Sequence, residues 1–264
     1  MRQNGGSMYK SLAAAVALST AAMAPSVAFA DAPKSDITIT GNADITTQYR
    51  LRGISQTDND AAIQGGITVS HSSGFYLSTW ASNLGGYGTF GGSNMELDLI
   101  GGYTKPIGPV TVDLGLIGYV YPGTHGHNYM EIYGSVSGKV GPLNAKLGTY
   151  IAPQQDDIGG HNFWLYTDWA FPISGTPITL KAHGGFSTGT SAYTNGLRAG
   201  QGLNHDVWDY GVGADFTYKA LTLNVSYVGT GIGHQFADLY WAGGNKPGYS
   251  ITRGNVVATL TAAF

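Results

Sequence analysis

Apolar and polar residues alternate along most of this chain. Between residues 37 and 52, Ile37, Ile39, Ala43, Ile45, Tyr49 and Leu51 fall on one side, and Thr38, Thr40, Asn42, Asp44, Thr46, Gln48, Arg50 and Arg52 on the other. A period of two marks a strand with one covered face. It recurs to the last residues, where Val256, Ala258, Leu260, Ala262 and Phe264 share a side. No capped helical stretch interrupts it. About twelve strands are predicted, near 37–52, 62–71, 75–83, 95–104, 110–120, 128–139, 143–151, 162–171, 177–186, 207–218, 221–231 and 255–264. Each is close to the ~9–11 residues of a tilted strand that crosses a membrane.

The connections alternate in length. "SSG", "KPIGP", "VGP", "PISG" and "KA" are short, and six long ones interleave with them, from "GISQTDNDA" to the segment 232–254. Tight turns at one end and long loops at the other describe an up-and-down meander. An even strand count returns both ends of the barrel segment to the short-turn side.

Composition narrows the class. Charged residues make up 11% of the 264, against about 25% in an average soluble protein. The net charge of −3 offers no basic footprint for nucleic acid. The absence of cysteine excludes disulfides, zinc thiolate sites and a cysteine nucleophile. At the N-terminus, Arg2 and Lys10 flank an apolar run, Leu12 to Met23, followed by Ala28-Phe29-Ala30. This is the layout of a cleaved secretory signal. We therefore expect residues 1–30 to be a leader and residues 31–264 the barrel; Met8 is a second candidate start. The run is shorter than the ~20 residues of a membrane helix.

Three features decide which face of the barrel points outward. Thirteen charged residues share the polar face (Asp44, Arg50, Arg52, Glu96, Asp98, Asp113, Glu131, Lys139, Lys146, Asp168, Lys181, Asp209 and Asp215) and none the apolar one. Along the apolar face, aromatics flank small aliphatics, as in Trp208, Tyr210, Val212, Ala214, Phe216, Tyr218. Tyr103, Trp169 and Phe264 extend this to two girdles at the membrane–water interfaces. The polar face is mostly Thr, Ser, Asn, Gly and Tyr, unlike a solvated exterior with its ~25–35% charge. The expected fold is all-β: a closed, antiparallel transmembrane barrel with its apolar face to lipid and its polar face around a lumen.

The segment from Thr46 to Asn83 resembles the TorF family of porin-like proteins. The likeness rests on Tyr49-Arg50-Leu51-Arg52-Gly53-Ile54-Ser55-Gln56-Thr57-Asp58-Asn59-Asp60, on Ala62-Ile63-Gln64-Gly65-Gly66, on Ser73-Gly74-Phe75-Tyr76 and on the segment Met95 to Tyr103. It is strong over roughly the first third of the chain and consistent in pattern beyond. It implies a Gram-negative outer-membrane β-barrel and supplies no catalytic residues. The terminal Phe264, with its alternating neighbours, resembles the signal read by the barrel-assembly machinery. That machinery, membrane lipids and small solutes are the expected partners.

Expected lumen residues are Arg50, Arg52, Glu96, Asp98, Asp113, Tyr129, Glu131, Tyr133, Lys146, Trp164, Asp168, Lys181, Asp209 and Asp215. The arginine pair with Glu96 and Asp98 forms either a solute-selecting constriction or an ion-pair ladder. Inward Tyr119, Tyr129, Tyr133, Tyr150, Trp164 and Tyr166 form a stacking track or simply fill the interior. The loop Thr57 to Ala61 has half the acids of a calcium loop and reads as a polar surface turn. Five of the seven histidines lie in or beside long loops; His125 and His127 are the best-spaced metal pair, but spacing alone does not support a site. Only His183 faces the lumen within a strand, with no acid placed beside it by sequence, so no Ser-His hydrolase emerges. No cofactor or metal is expected. Taken together, these residues describe a narrow passive channel in the outer membrane, with the 187–206 or 232–254 loop as a candidate plug. The alternatives are a barrel enzyme of lipase or protease type, a non-conducting structural or adhesive barrel, and a soluble exported barrel.

Overall fold

The computed structural model describes residues 35–241 and 245–264; the expected leader lies outside them. Twelve strands close into one antiparallel barrel. They are β1 (Ile37–Thr46), β2 (Ala62–His71), β3 (Phe75–Asn83), β4 (Met95–Ile107), β5 (Val110–Val120), β6 (Tyr129–Val140), β7 (Leu143–Gln155), β8 (Gly160–Pro172), β9 (Ile178–Gly189), β10 (His205–Tyr218), β11 (Leu221–Thr230) and β12 (Asn255–Ala263). Each strand pairs with its neighbours in the chain, and β12 returns to β1. Three short helices sit in the long loops: α1 (Ala192–Asn195), α2 (His234–Tyr240) and α3 (Gly248–Thr252). Among the described residues no helix is long and apolar enough to cross a membrane.

The closing seam runs from Asn42 opposite Ala263 to Thr46 opposite Thr259. Gly41 and Phe264 extend it: the Gly41 N–H donates to the Phe264 carbonyl at 2.8 Å, and the Phe264 N–H returns a bond of 2.9 Å. The Phe264 ring lies over Gly41. A Cβ there would meet two ring carbons at 2.7 Å and the Gly66 carbonyl oxygen at 2.9 Å.

The alternation sorts side chains as expected. Outside stand Ile63 and Leu77, each about 70% exposed (72% and 71%), with Leu99, Leu114, Leu116, Val212, Val225 and Leu260. Phe75 and Tyr103 meet as tilted rings at the short-turn end, and Phe186 with Trp208 near the long-loop end. Trp169, Tyr210, Phe216, Tyr218 and Phe264 also point outward. Such a surface would be costly in water, since burying each large apolar side chain is worth ~1.5–3 kcal/mol. In β3, Tyr76 and Trp80 point inward and are buried.

The first strand departs from expectation. It ends at Thr46, not at residue 52. Thr46 already faces Ala62 on β2, so the residues after it have no β2 partner left. Tyr49 and Leu51 continue the apolar alternation, yet they turn into the barrel and are only 1% and 3% exposed. Arg50–Leu51 pairs with Ile54–Ser55 as a small hairpin inside the lumen. Its tip is Arg52 and Gly53, both with left-handed backbones, φ +48° and +80°. The edge of β12 that β1 leaves bare is met by this segment. The Thr47 N–H donates to the Ala258 carbonyl at 2.9 Å. The Ala258 N–H donates to Thr47 Oγ1 at 3.0 Å.

The other long loops fold over the mouth. Ile54 of the hairpin packs with Val207, Ile232, Ala237, Trp241 and Ile251 into an apolar cap. The turn from Thr57 to Ala61, expected at the surface, is partly internal: Thr57 and Asp58 are buried. It is held because an otherwise exposed polar turn finds donors on the last loop. The Asn245 N–H donates to Asp58 at 2.9 Å, and Lys246 Nζ bonds Asp60 Oδ1 at 3.0 Å and the Asp58 carbonyl. Strands β7 and β8 run longer than expected, so the loop between them contracts to residues 156–159.

Two outcomes test this wall. Val212→Arg, at the midpoint of β10, should cost ~2–4 kcal/mol in lipid, read from denaturant unfolding in vesicles; an unchanged midpoint would refute lipid contact at that face. Gly41→Ala should cost ~1–3 kcal/mol by crowding the seam, and adding Phe264→Ala should return part of that loss. Additive losses in the double variant would show that ring and glycine do not meet.

Candidate functional site in the lumen

The inward face of the long-loop half converges on the hairpin tip. Arg52 Nη2 donates to both oxygens of Glu131 on β6, at 2.7 and 2.6 Å. Tyr119 on β5 donates to the same carboxylate at 2.9 Å. The guanidinium carbon lies 3.8 Å from the ring centre of Tyr193, which α1 carries inward, and 4.8 Å from that of Trp164 on β8. Tyr150 on β7 stands at 5.9 Å. Burial works against the charge of Arg52, but Glu131 together with Tyr193 and Tyr119 outweighs it and raises the guanidinium pKa. The Tyr193 hydroxyl, bonded to Tyr129, is pushed up by its burial.

Beside this pair stand two more carboxyl groups. Glu96 accepts the Tyr49 and Tyr121 hydroxyls, each at 2.7 Å. Asp98 is buried, and its Oδ1 has no partner. Arg52 Nε and Nη1 are likewise buried without acceptors. Arg52 thus pairs with Glu131, not with Glu96, which is bonded to tyrosines, or with Asp98, and it arrives from a hairpin instead of from strand one.

Arg50 is placed differently from the expected constriction. Its Nε donates to Gln48 at 2.8 Å, and its Nη1 to the carbonyls of Gly53 at 2.6 Å and Arg253 at 2.9 Å. Its Nη2 donates to Asn59 at 3.2 Å. The side chain brackets the hairpin to the last loop and presents nothing to a passing solute. Burial pulls its pKa down to about 10.

The short-turn half is wetter. Tyr76 donates to Asp113 Oδ1 at 2.8 Å and its hydroxyl also meets Tyr133. Tyr133 lies flat on Gly115, where a Cβ would come within 2.3 Å of the phenol oxygen. His183 is held between Asp168 at 2.6 Å and Asp209 at 2.7 Å, and Trp164 donates to the other Asp209 oxygen at 2.9 Å. Lys181 approaches Asp215 at 3.5 Å, and Asn224 donates to that carboxylate at 2.6 Å. Lys146 sits over the ring of Tyr166. Lys139, at the end of β6, is exposed at the turn. The Asp168 side chain is 42% exposed although it faces inward, so water reaches this part of the lumen.

The rings form one aromatic wall. Tyr119 stacks on Tyr129 at 4.5 Å, and Trp164 on Tyr166 at 4.5 Å. Tyr150 links to Trp164, and Tyr166 to His183. The acids flanking His183 were missed in the sequence, although the "PISG" turn sets a register that puts Asp168 opposite His183. Asp209 follows from the next pairing, two residues off. Both imidazole nitrogens are taken by carboxylates, so neither is free to accept a serine proton. Among the described residues no group of three or more His, Asp or Glu is placed to hold a metal.

Solved structures share this architecture. The NanC porin superposes with a TM-score of 0.53 over 86% of this chain and 99% of its own, at 10% identity. The KdgM porin gives 0.50 over 85% and 98%, at 9% identity. KdgM in complex with disordered oligogalacturonate gives 0.52 over 85% and 99%, at 9% identity. At such identities the likeness is one of fold. No curated protein sequence matches the chain. A family profile described as "Bacterial protein of unknown function (Gcw_chp)" matches residues 30–264, nearly the whole length, and the chain belongs to that family.

Proposed function

We propose that this protein is an outer-membrane channel for passive diffusion of small solutes or ions through a narrow polar lumen, and that the Arg52 hairpin is its internal stopper. The observation that carries this is the water-exposed Asp168 carboxylate on the inside of a wall whose outside is apolar. A barrel filled for stiffness alone would bury it. In this reading residues 1–30 direct export, the last strand with Phe264 is read by the assembly machinery, and the TorF resemblance names the same family. The lumen residues expected from sequence act as its lining, with Arg50 reassigned to holding the stopper.

Catalysis is the weaker reading, because His183 has both nitrogens engaged by carboxylates and His205, inward at the start of β10, bonds Asn195. A permanently blocked structural barrel remains a distinct outcome of the test below. The KdgM complex contains oligogalacturonate, an acidic sugar chain. Here both inward arginines are committed, Arg52 to Glu131 and Arg50 to carbonyl oxygens. Neither arginine is therefore free to meet an acidic oligosaccharide.

Planar-bilayer recording tests the channel. Wild type should show small, infrequent steps. Arg52→Ala leaves Glu131 buried without its cation, a loss of about 3–5 kcal/mol for the seated hairpin, and should raise conductance or open time at least several-fold. Lys246→Ala breaks an exposed contact worth ~0.2–1 kcal/mol, and should change open time by less than about fivefold. Silence in all three forms would establish the blocked barrel instead.

A further inference from the structure

We infer that the eyelet around Glu131 is a binding site for guanidinium-bearing organic cations, and that Arg52 is its tethered occupant. The inference rests on the channel reading for its physiological meaning, but the site itself is built from the wall. Glu131 and Tyr119 come from β6 and β5, Tyr150 and Trp164 from β7 and β8, and Tyr193 from α1. Only the guanidinium comes from the hairpin. A carboxylate at one end and aromatic faces on the sides recognise a planar cation through charge-assisted bonds and the ring quadrupole.

Arg52 fills this site imperfectly. A single nitrogen, Nη2, meets both carboxylate oxygens, where a free guanidinium would offer two parallel N–H groups. Arg52 Nε and Nη1 have no acceptor, and Asp98 Oδ1 nearby has no donor. The backbone that delivers the side chain is itself strained, at φ +48°, a left-handed conformation that disfavours a residue with a Cβ. An untethered guanidinium carries neither constraint. Such a solute would take the place of Arg52 and release the hairpin.

The probe is ethylguanidinium, with ethylurea as its neutral isostere, titrated calorimetrically into the whole barrel in detergent micelles. Arg52→Ala should bind ethylguanidinium about tenfold or more tighter than wild type, should ignore ethylurea, and should lose the binding when Glu131→Gln is added. In bilayers the same cation should lower the Arg52→Ala conductance toward that of wild type. Equal binding by wild type and Arg52→Ala, binding that survives Glu131→Gln, or equal binding of ethylurea would each overturn the site. A barrel that binds ethylguanidinium but passes no current would refute the channel and leave the site standing. If heat-modified gel migration shows that Arg52→Ala does not assemble, wild type and Glu131→Gln are compared in a guanidinium chloride gradient. Guanidinium-over-chloride selectivity should then fall about fivefold or more without the carboxylate, and unchanged selectivity overturns the inference.

Discussion

A strand that meets lipid has no water to satisfy its backbone, so every N–H and C=O must find a partner within the wall. Here that demand is met by closure, with β12 folding back on β1. The seam is where closure is most stretched. The register pairs only five residues of β1 with β12 before Gly41 and Phe264 extend the ladder. The first residues of β12 pair with β11 on one side and have no β1 residue on the other. Thr47 and Gln48 supply bonds to that edge, and the chain that bears them then has nowhere to go but inward. The internal hairpin thus follows from the shortness of β1. A segment that finishes the wall also becomes the segment that fills the mouth.

The inside is filled unevenly. On β5 to β8 the inward positions carry large rings, and several rest on glycines of the neighbouring strand, as Tyr133 does on Gly115 and Tyr166 on Gly148. Removing a Cβ lets a ring lie against the wall instead of projecting across the lumen. On β10 to β12 the inward positions include Asp215, Thr222, Asn224, Ser226 and Thr259, smaller and joined by hydrogen bonds such as Asn224 to Asp215 and Ser226 to Asn224. The lumen therefore has an aromatic side and a small polar side. The hairpin tip leans on the aromatic side, where its cation has π faces to meet.

The wall was legible in the sequence because period two is a property of strands alone. Leu99 outside and Asp98 inside differ by one position, and a slip of one would exchange them. The aromatic wall was legible for the same reason, since Tyr119, Tyr150 and Trp164 hold inward parity. The hairpin was not. Tyr49, Leu51 and their polar neighbours obey the same alternation, so parity carried the strand past its real end at Thr46. What ends it is the partner strand, and pairing is a long-range fact. The local cue was Arg52-Gly53, where glycine suits a left-handed turn. Likewise Asp168 and His183 are fifteen residues apart, and only the register of β8 on β9 makes them neighbours.

Besides the Arg50 bonds to the last loop, two ion pairs tie down the hairpin and the turn after it, and they differ in depth. Lys246 and Asp60 meet near the surface, with the Asp60 side chain 76% exposed. Water and salt screen that pair, which limits it to ~0.2–1 kcal/mol. Arg52 and Glu131 meet with side-chain exposures of 3% and 0%. Separating them strands a charge that the lumen cannot solvate, a loss of about 3–5 kcal/mol unless something replaces it. The hairpin is therefore fixed more strongly at its buried tip than at the exposed turn that follows it. In the proposed channel, unseating the hairpin tip calls for another cation at Glu131 or another anion at Arg52, and the Arg50 bond to Arg253 has to give way as well. Pulling on the outer latch alone leaves the buried ion pair, the stronger of the two contacts, intact.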